Sequence, residues 1–395
     1  MRIDALVPVL RFPKDEEMKY YIIAGEASGD LHASNLMKSL REKDPQAEFR
    51  GFGGDLMRAQ GAFLLRHYRD LAYMGFVEVA VHLGTILRNI RLCKKDLLDY
   101  RPDVLILVDY PGFNMRIAPF AHRHGIRTVY YIAPQVWAWR TGRIKKLKKY
   151  TDKIFTLLPF ERRFYEAYEA EAFFEGNPLV DSIRAYRPDE AFVARYRNSD
   201  DTRPLVVILP GSRKQEIKRI FPLMLRVAGK LQNYRYVVAG TPHLPEALYR
   251  SYLKDYPQVE LVFGHTYDLF SVAHAGMIKS GTSTLEAAMF SLPQVVCYSV
   301  NPISYRIGRM VVNKDVRFIS LVNLIMDREV VRELLQKDFN EKELENELLK
   351  ICEDENRRKL LTSEYAELQA IMGEGGTSSR VAASIISQIN DIRKR

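Results

Sequence analysis

Asp109 closes the apolar run VLILVD at 104–109 and stands directly before Tyr110, Pro111 and Gly112. Open α/β sheets bind ligands beyond the carboxyl ends of their strands, and a carboxylate there can take a proton from a hydroxyl. The alternative is a turn residue bonded to nearby backbone amides, a use that suits Asp103, before the strand, better than Asp109. In the other half of the chain, LVVILPG at 205–211 leads through Gly211 and Ser212 into Arg213. Free amides at a strand-to-helix junction, together with a guanidinium fork, suit a diphosphate. Ser280, Gly281 and Thr282 repeat that arrangement at another helix start. Glu286, one turn further on, could accept bonds from two ribose hydroxyls or could simply complement the helix dipole. A base in one half and an anion site in the other imply group transfer from a phosphorylated donor, with the two halves forming the walls of one cleft.

Two further groups offer chemistry. GEASGD at 25–30 lies between the first expected strand and a helix from about Leu31 to Glu42. Its small residues admit a substrate to the backbone, and Glu26 and Asp30 add carboxylates to the catalytic candidates. The same segment also reads as a turn with Asp30 as an N-cap. It has neither the Gly-Lys-Ser/Thr of a P-loop nor the full dinucleotide-binding glycine spacing. Trp137 and Trp139, the two tryptophans of the chain, share one nonamer with Gln135 and Arg140. Their faces could pack on sugar rings or acyl chains, or one of them could be plain core. There is no HExxH, no CxxC pair and no clustered Asp-x-Asp, so neither a metal site nor a cofactor is expected.

These residues need a scaffold of alternating strands and helices. KYYIIAGE (19–26), VLILVD, TVYYIA (128–133) and KIFTLL (153–158) have the length and apolar content of buried strands, with helical patterns between them. The alternation restarts at LVVILPG and continues through 234–240, 259–264, 275–281 and 293–299, then becomes almost wholly helical after about Ser320. Such alternation predicts doubly wound parallel sheets. The expected organisation is α/β: two Rossmann-like domains facing across a cleft, with a helical C-terminal tail. Residues 1–17 read as a dispensable extension, 18–181 as the acceptor and membrane-facing domain, and 182–203 as a charged linker. Residues 204–365 then form the second Rossmann-like domain, on the side of the phosphorylated donor, and 366–395 the tail. A length of 395 residues fits two cores better than one.

Composition narrows the class. With 47% apolar and 27% charged residues and no low-complexity tract, the chain reads as globular. Three scattered cysteines, Cys93, Cys297 and Cys352, fit a reducing compartment, and the first residues make no convincing signal peptide, so the cytoplasm is expected. A formal net charge of +10 implies an anionic partner. The stretch LGTILRNIRLCKKDLL at 83–98 puts Leu83, Ile86, Leu87, Ile90 and Leu97 at helical spacing and Arg88, Arg91 and Lys95 on another face. Upstream lies the apolar LAYMGFVEVAV, with Met74 and Phe76, and RTGRIKKLKK (140–149) adds six cations. A basic amphipathic helix beside an apolar stretch suits an anionic membrane surface; two ordinary helices with solvated basic faces are the plain alternative.

Taken in order, AGEASGD, YMGFVEV, DYPGFN, VWAWR, LLPFE, GNPLVD, LPGSR, SGTSTLEAA and ISLVNLI resemble the lipid A disaccharide synthase family from about Met18 to the C-terminus. The resemblance implies a bacterial glycosyltransferase of GT-B architecture, associated peripherally with the inner face of the inner membrane. The implied reaction joins UDP-2,3-diacylglucosamine to 2,3-diacylglucosamine 1-phosphate, inverting at the anomeric carbon without an obligatory metal. It implies Asp109 as general base; Arg213, Ser280, Thr282 and Glu286 in the UDP region, with Gly211, Ser212 and Gly281 beside them; and Asn323 in the site. Trp137, Trp139, Arg140, Met74, Phe76, Arg88 and Arg91 become candidates for acceptor or membrane contact. Gln135 and the residues after Thr282 depart from the family pattern and leave acyl-chain preference open, as a homodimer is left open.

Two other readings compete. Another UDP-sugar GT-B enzyme, such as a peptidoglycan N-acetylglucosaminyltransferase or a UDP-sugar 2-epimerase, would share the UDP half, but the DYPGFN and VWAWR tracts argue against both. A non-enzymatic nucleic-acid or membrane-binding protein would explain the charge but not the paired strand-end sites, so no nucleic-acid partner is expected.

Overall fold

The computed structural model describes residues 18–70, 83–137, 141–301, 305 and 316–393. Two compact units emerge: the chain up to Pro178 together with Gly375–Arg395, and Leu179–Glu374. Each is built on a parallel sheet of six strands among the described residues.

In the first unit the strands are β1 (Lys19–Ala24), β2 (Glu48–Gly53), β3 (Phe63–His67), β4 (Val104–Val108), β5 (Arg127–Tyr131) and β6 (Lys153–Phe155). Their order across the sheet is β3-β2-β1-β4-β5-β6, all parallel. The central strands are buried on both faces, which is why they read as unbroken apolar runs rather than as alternation. Tyr20, Ile22, Val104, Ile106 and Val108 pack on one side, whereas Tyr21, Ile23, Leu105 and Leu107 pack on the other. The helix Thr377–Arg393 brings Val381, Ala382, Ile385 and Ile386 into the first of these cores, opposite the helix Ala27–Lys43. Burial of its Val and two Ile side chains contributes roughly 1.5–3 kcal/mol each. Lys153 Nζ donates to Ser384 Oγ at 2.8 Å, and Arg380 Nε donates to the Glu175 carbonyl at 2.9 Å, tying that helix down.

The second unit has β7 (Leu205–Leu209), β8 (Arg235–Gly240), β9 (Val259–Phe263), β10 (Ala275–Lys279), β11 (Gln294–Tyr298) and β12 (Glu333–Leu335), in the order β12-β11-β10-β7-β8-β9. The expected linker region contains the helix Glu190–Arg197, capped by the Asp189 side chain and burying Val193 and Tyr196 against this unit.

Both sheets therefore reverse their winding once, between β1 and β4 and between β7 and β10. The last register pairs there are Ala24 with Val108 and Ile278 with Leu209. The segments leaving those strands, 25–26 beside 109–110 and 210–213 beside 279–282, are where doubly wound sheets hold ligands.

Candidate active site

The first unit presents Asp109 at its switch point. Three non-glycine residues around it have positive φ: Asp109 (46°), Tyr110 (44°) and Ile132 (60°). Left-handed backbone costs such residues about 1–3 kcal/mol each, so neighbouring bonds must hold it. The Asp109 carbonyl accepts from Asn114 Nδ2 and from the Tyr130 hydroxyl, each at 2.7 Å, and its amide donates to the Tyr131 carbonyl at 3.2 Å. Gly25 completes the setting, because an added Cβ would lie 2.3 Å from the Tyr110 ring. The carboxyl opens on a cavity of about 530 Å³ whose walls include Ile132, Gln135, Arg143 and Leu157. Burial, with the nearby charge of Glu26, pushes the Asp109 pKa up to about 6, against the lowering effect of the Tyr110 amide.

Glu26 is the N-cap residue of Ala27–Lys43, but its side chain makes no capping bond. Asp30 does not join this pair. That helix begins four residues earlier than its apolar pattern suggested, so Asp30 lies in the first turn, 2% exposed, rather than at the N-cap. Its carboxylate accepts from the amides of Gly54 (2.7 Å), Leu56 (3.0 Å) and Met57 (3.1 Å), which start the helix Asp55–Ala59. Its expected catalytic role gives way to capping a neighbouring helix. Asp103 likewise serves the backbone, accepting from the Lys19 amide at 2.8 Å.

Trp137 is also redirected from the expected contact with acceptor or membrane. Its indole is 7% exposed, meets Phe160 edge-on and donates to Glu161 Oε1 at 2.8 Å. Glu161 also accepts from the Leu157 and Leu158 amides, and burial lifts its pKa to about 7. A ring buried this way contributes core packing and ties 135–137 to 157–158, two stretches that wall the cavity. Trp139, Arg140, Met74 and Phe76 lie outside the described residues, as do residues 1–17.

The second unit holds a cavity of about 390 Å³ lined by Gly211, Ser212, Thr241, Tyr267, Lys279, Gly281, Thr282 and Glu286 among others. Thr282–Met289 is a helix whose N-cap, Gly281, offers no side-chain acceptor, so a ligand can take the first-turn amides. Glu286 accepts from the Tyr267 hydroxyl at 2.8 Å, and burial keeps it above the usual carboxylate range despite the lowering bonds from Tyr267 and Ser283. Arg213 is the exposed N-cap residue of Lys214–Lys230 and pairs with Glu216 at 3.2 Å. Glu216 also accepts from the Ser212 amide (3.0 Å) and pairs with Lys279 (2.9 Å). Burial would raise the Glu216 pKa, but Lys279, that amide and Arg213 together hold it below the ordinary carboxylate value.

Three expected members of the UDP group do not line this cavity: the exposed Arg213, Ser280 and Asn323. Ser280 donates its hydroxyl to the Ile319 carbonyl at 3.1 Å. Asn323 is fully buried: its amide nitrogen donates to the Val331 carbonyl (2.8 Å) and Glu333 (2.9 Å), while its oxygen accepts from the Val330 and Val331 amides. With its polar atoms bonded within its own surroundings, Asn323 acts as scaffolding for 319–333 rather than as a visible ligand contact. Sequence reasoning did not single out Asn114, Tyr130, Arg143, Glu216, Lys279 or Tyr267. Asn114, Tyr130 and Arg143 sit inside DYPGFN, TVYYIA and RTGRIKKLKK, and Glu216 and Lys279 just outside LPGSR and SGTSTLEAA, but their roles follow from long-range pairing.

The helix Leu83–Tyr100 carries the basic face. Arg88, Arg91 and Lys95 are exposed on it, and so are Leu87 (43%) and Leu98 (42%). Leu87 thus parts from the other apolar positions: Ile90 and Leu97 are buried in the core with Cys93, Ile86 packs against it partly buried, and Asn89 and Asp96 are buried beside them. Asp96 accepts from the Tyr21 hydroxyl and from Arg50 Nε, each at 2.9 Å, pinning the helix to the sheet. Among the described residues no helix is long and apolar enough to cross a membrane, and no group of His, Cys, Asp or Glu is placed to hold a metal ion.

Known proteins with this arrangement fall into two sets. Solved structures share the fold at low identity. The glycosyltransferase of kitacinnamycin superposes with a TM-score of 0.66 at 14% identity, over 95% of this chain and all of that one. The UDP-GlcNAc 2-epimerase of Neisseria meningitidis, bound to UDP-GlcNAc, does so at 0.62 and 11%, over 94% and 100%. Similarity in sequence is far more selective. The lipid-A-disaccharide synthase of Koribacter versatilis is 37% identical over 381 residues, 94% of this chain and 98% of that protein. That of Syntrophus aciditrophicus is 36% identical over 374 residues, 93% and 97%. The model of the lipid-A-disaccharide synthetase family matches residues 20–388, and with relatives this similar over nearly their whole length, the chain belongs to that family.

Proposed function

We propose that Asp109 is the general base, and the strand ends of the second unit the donor site, of a lipid A disaccharide-forming glycosyl transfer. The substrates are UDP-2,3-diacylglucosamine and 2,3-diacylglucosamine 1-phosphate; the products are the β(1→6) disaccharide 1-phosphate and UDP. The setting of Asp109 carries this reading: a partly buried carboxylate with its pKa near 6, on a strained strand end, facing a cavity. A base works best when its pKa lies close to the working pH. As the acceptor 6-hydroxyl oxygen attacks the anomeric carbon, its proton passes to Asp109. The carbon–oxygen bond to UDP breaks on the opposite face, inverting the centre. The negative charge gathering on UDP is met by the first-turn amides at Thr282, with the Ser212 amide and Arg213 turning to it from Glu216. Glu286 is suited to the ribose hydroxyls and Arg143, in the Asp109 cavity, to the acceptor phosphate.

Diacylated substrates reside in a bilayer. The exposed Arg88, Arg91 and Lys95, interspersed with Leu87 and Leu98, support peripheral attachment to the anionic inner-membrane surface on its cytoplasmic side. A detergent-based assay with both acylated substrates, reading UDP and disaccharide phosphate by mass spectrometry, tests the function. Parallel reactions with UDP-N-acetylglucosamine and with a chelator test the acyl requirement and the metal-free displacement. Absence of disaccharide from folded, UDP-binding protein would reject the assignment.

A further inference from the structure

Glu216 poses an electrostatic problem within the donor site. It is a carboxylate with 13% side-chain exposure, directly beneath a loop read as holding a diphosphate. Its place is fixed by shape: an added Cβ on Gly211 (φ +121°) would lie 2.7 Å from Glu216 Oε2, and that same oxygen receives the Ser212 amide at 3.0 Å. Glu216 is thus the prop on which the turn rests. Glu216 already holds the Ser212 amide and Arg213, the donors the nucleotide needs, and uncompensated its charge would grip them harder and repel a diphosphate. Lys279 sits where it can answer this. It ends β10, has 17% side-chain exposure, lines the donor cavity, and places Nζ 2.9 Å from Glu216 Oε1 and 4.0 Å from the position a Gly281 Cβ would take.

We infer that Lys279 is a positioning residue for the nucleotide diphosphate, acting through Glu216: its ammonium neutralises the prop, so that the Ser212 amide and Arg213 can turn to the ligand. This rests on the donor-site reading above and adds to it a residue that works without touching substrate. Truncating Lys279 leaves Glu216 beside the anion with only Arg213 and the Ser212 amide to answer its charge, a penalty felt in proportion to the ligand's charge.

The test is calorimetric titration of UDP and of uridine into the full chain, alongside thermal melting. Lys279→Met should weaken UDP about tenfold or more while leaving uridine within about twofold, since one like charge at short range is worth at least a factor of that size. Lys279→Arg should stay near wild type. Lys279→Met combined with Glu216→Gln should restore UDP binding to within about threefold, because the charge needing an answer is gone. Equal losses for UDP and uridine would overturn the inference in favour of a purely structural lysine. Failure of Glu216→Gln to rescue would overturn it in favour of direct contact between Lys279 and the phosphates. If Lys279→Met melts below the assay temperature, Glu216→Gln alone decides: the inference expects UDP to bind as tightly as wild type or more so, and a loss rejects it. Wild-type protein that does not bind UDP would instead defeat the donor-site reading itself.

Discussion

Replacing Asp109 by Asn should stabilise the protein while stopping its chemistry. Burial and the Glu26 charge raise this carboxyl from 3.8 to about 6. At about 1.4 kcal/mol per tenfold change in proton affinity, that rise corresponds to roughly 3 kcal/mol. The sign follows from linkage: a folded-state pKa above the unfolded one means that the folded chain holds its proton more tightly. Well below pH 4 both states are protonated and the side chain costs nothing extra. As pH rises through about 6 the folded state must carry a partly buried, repelled anion, and the roughly 3 kcal/mol is lost. Asp109→Asn removes the anion, so its melting temperature should match wild type near pH 4 and exceed it at pH 7.5. For a unit of this size the gap should be roughly 6–12 °C. Turnover should fall by about 10²–10⁴-fold, the usual worth of a general base, with UDP affinity unchanged. Calorimetric scans at both pH values, paired with the disaccharide assay, measure all three. A melting difference independent of pH, or near-normal turnover, would refute the account of Asp109 as a base held at energetic cost.

Glu26→Gln removes a charge that raises the Asp109 pKa, so the acid limb of the kcat/KM profile should move below pH 6. An unmoved limb would remove Glu26 from the site. Arg213→Ala should weaken UDP about tenfold or more, the worth of a charge-assisted bond, with uridine little affected; titration of both ligands checks it. Asp30→Ala strands three backbone amides and should cost on the order of 3 kcal/mol in urea unfolding, while the protein that remains folded keeps its kcat. A selective loss of kcat there would restore Asp30 to the catalytic set. Arg88→Glu with Arg91→Glu should abolish the preference for anionic over neutral vesicles in sedimentation, each cation being worth about 1 kcal/mol at such a surface, and should spare turnover on detergent-dispersed substrate.

The chain's own order was enough for the central strands, because parallel strands buried on both faces must be continuous apolar runs, and VLILV and LVVIL can be little else. It was also enough for the two strand-end candidates that matter most, Asp109 and the Gly211–Arg213 turn, since each follows such a run directly. Three strands escaped: the edge strands β3 and β12, and β2, which lies next to β3. Phe63–His67 is partly exposed, with Phe63 60% exposed, Glu48–Gly53 carries two glycines, and Glu333–Leu335 is three residues long inside a helical stretch. Side-chain roles needed the tertiary structure, because a carboxylate's function depends on which partner reaches it. Asp30 and Asp109 are both acidic residues near strand ends. One meets three amides across 24–27 residues and becomes a cap; the other has the Tyr110 amide outweighed by burial and a like charge, the setting proposed for a base. The same holds for Glu216 and Lys279, 63 positions apart in sequence and 2.9 Å apart in space. Local sequence sets where strands end, but only the closing of each sheet at its switch point decides which charges must share the space beyond them.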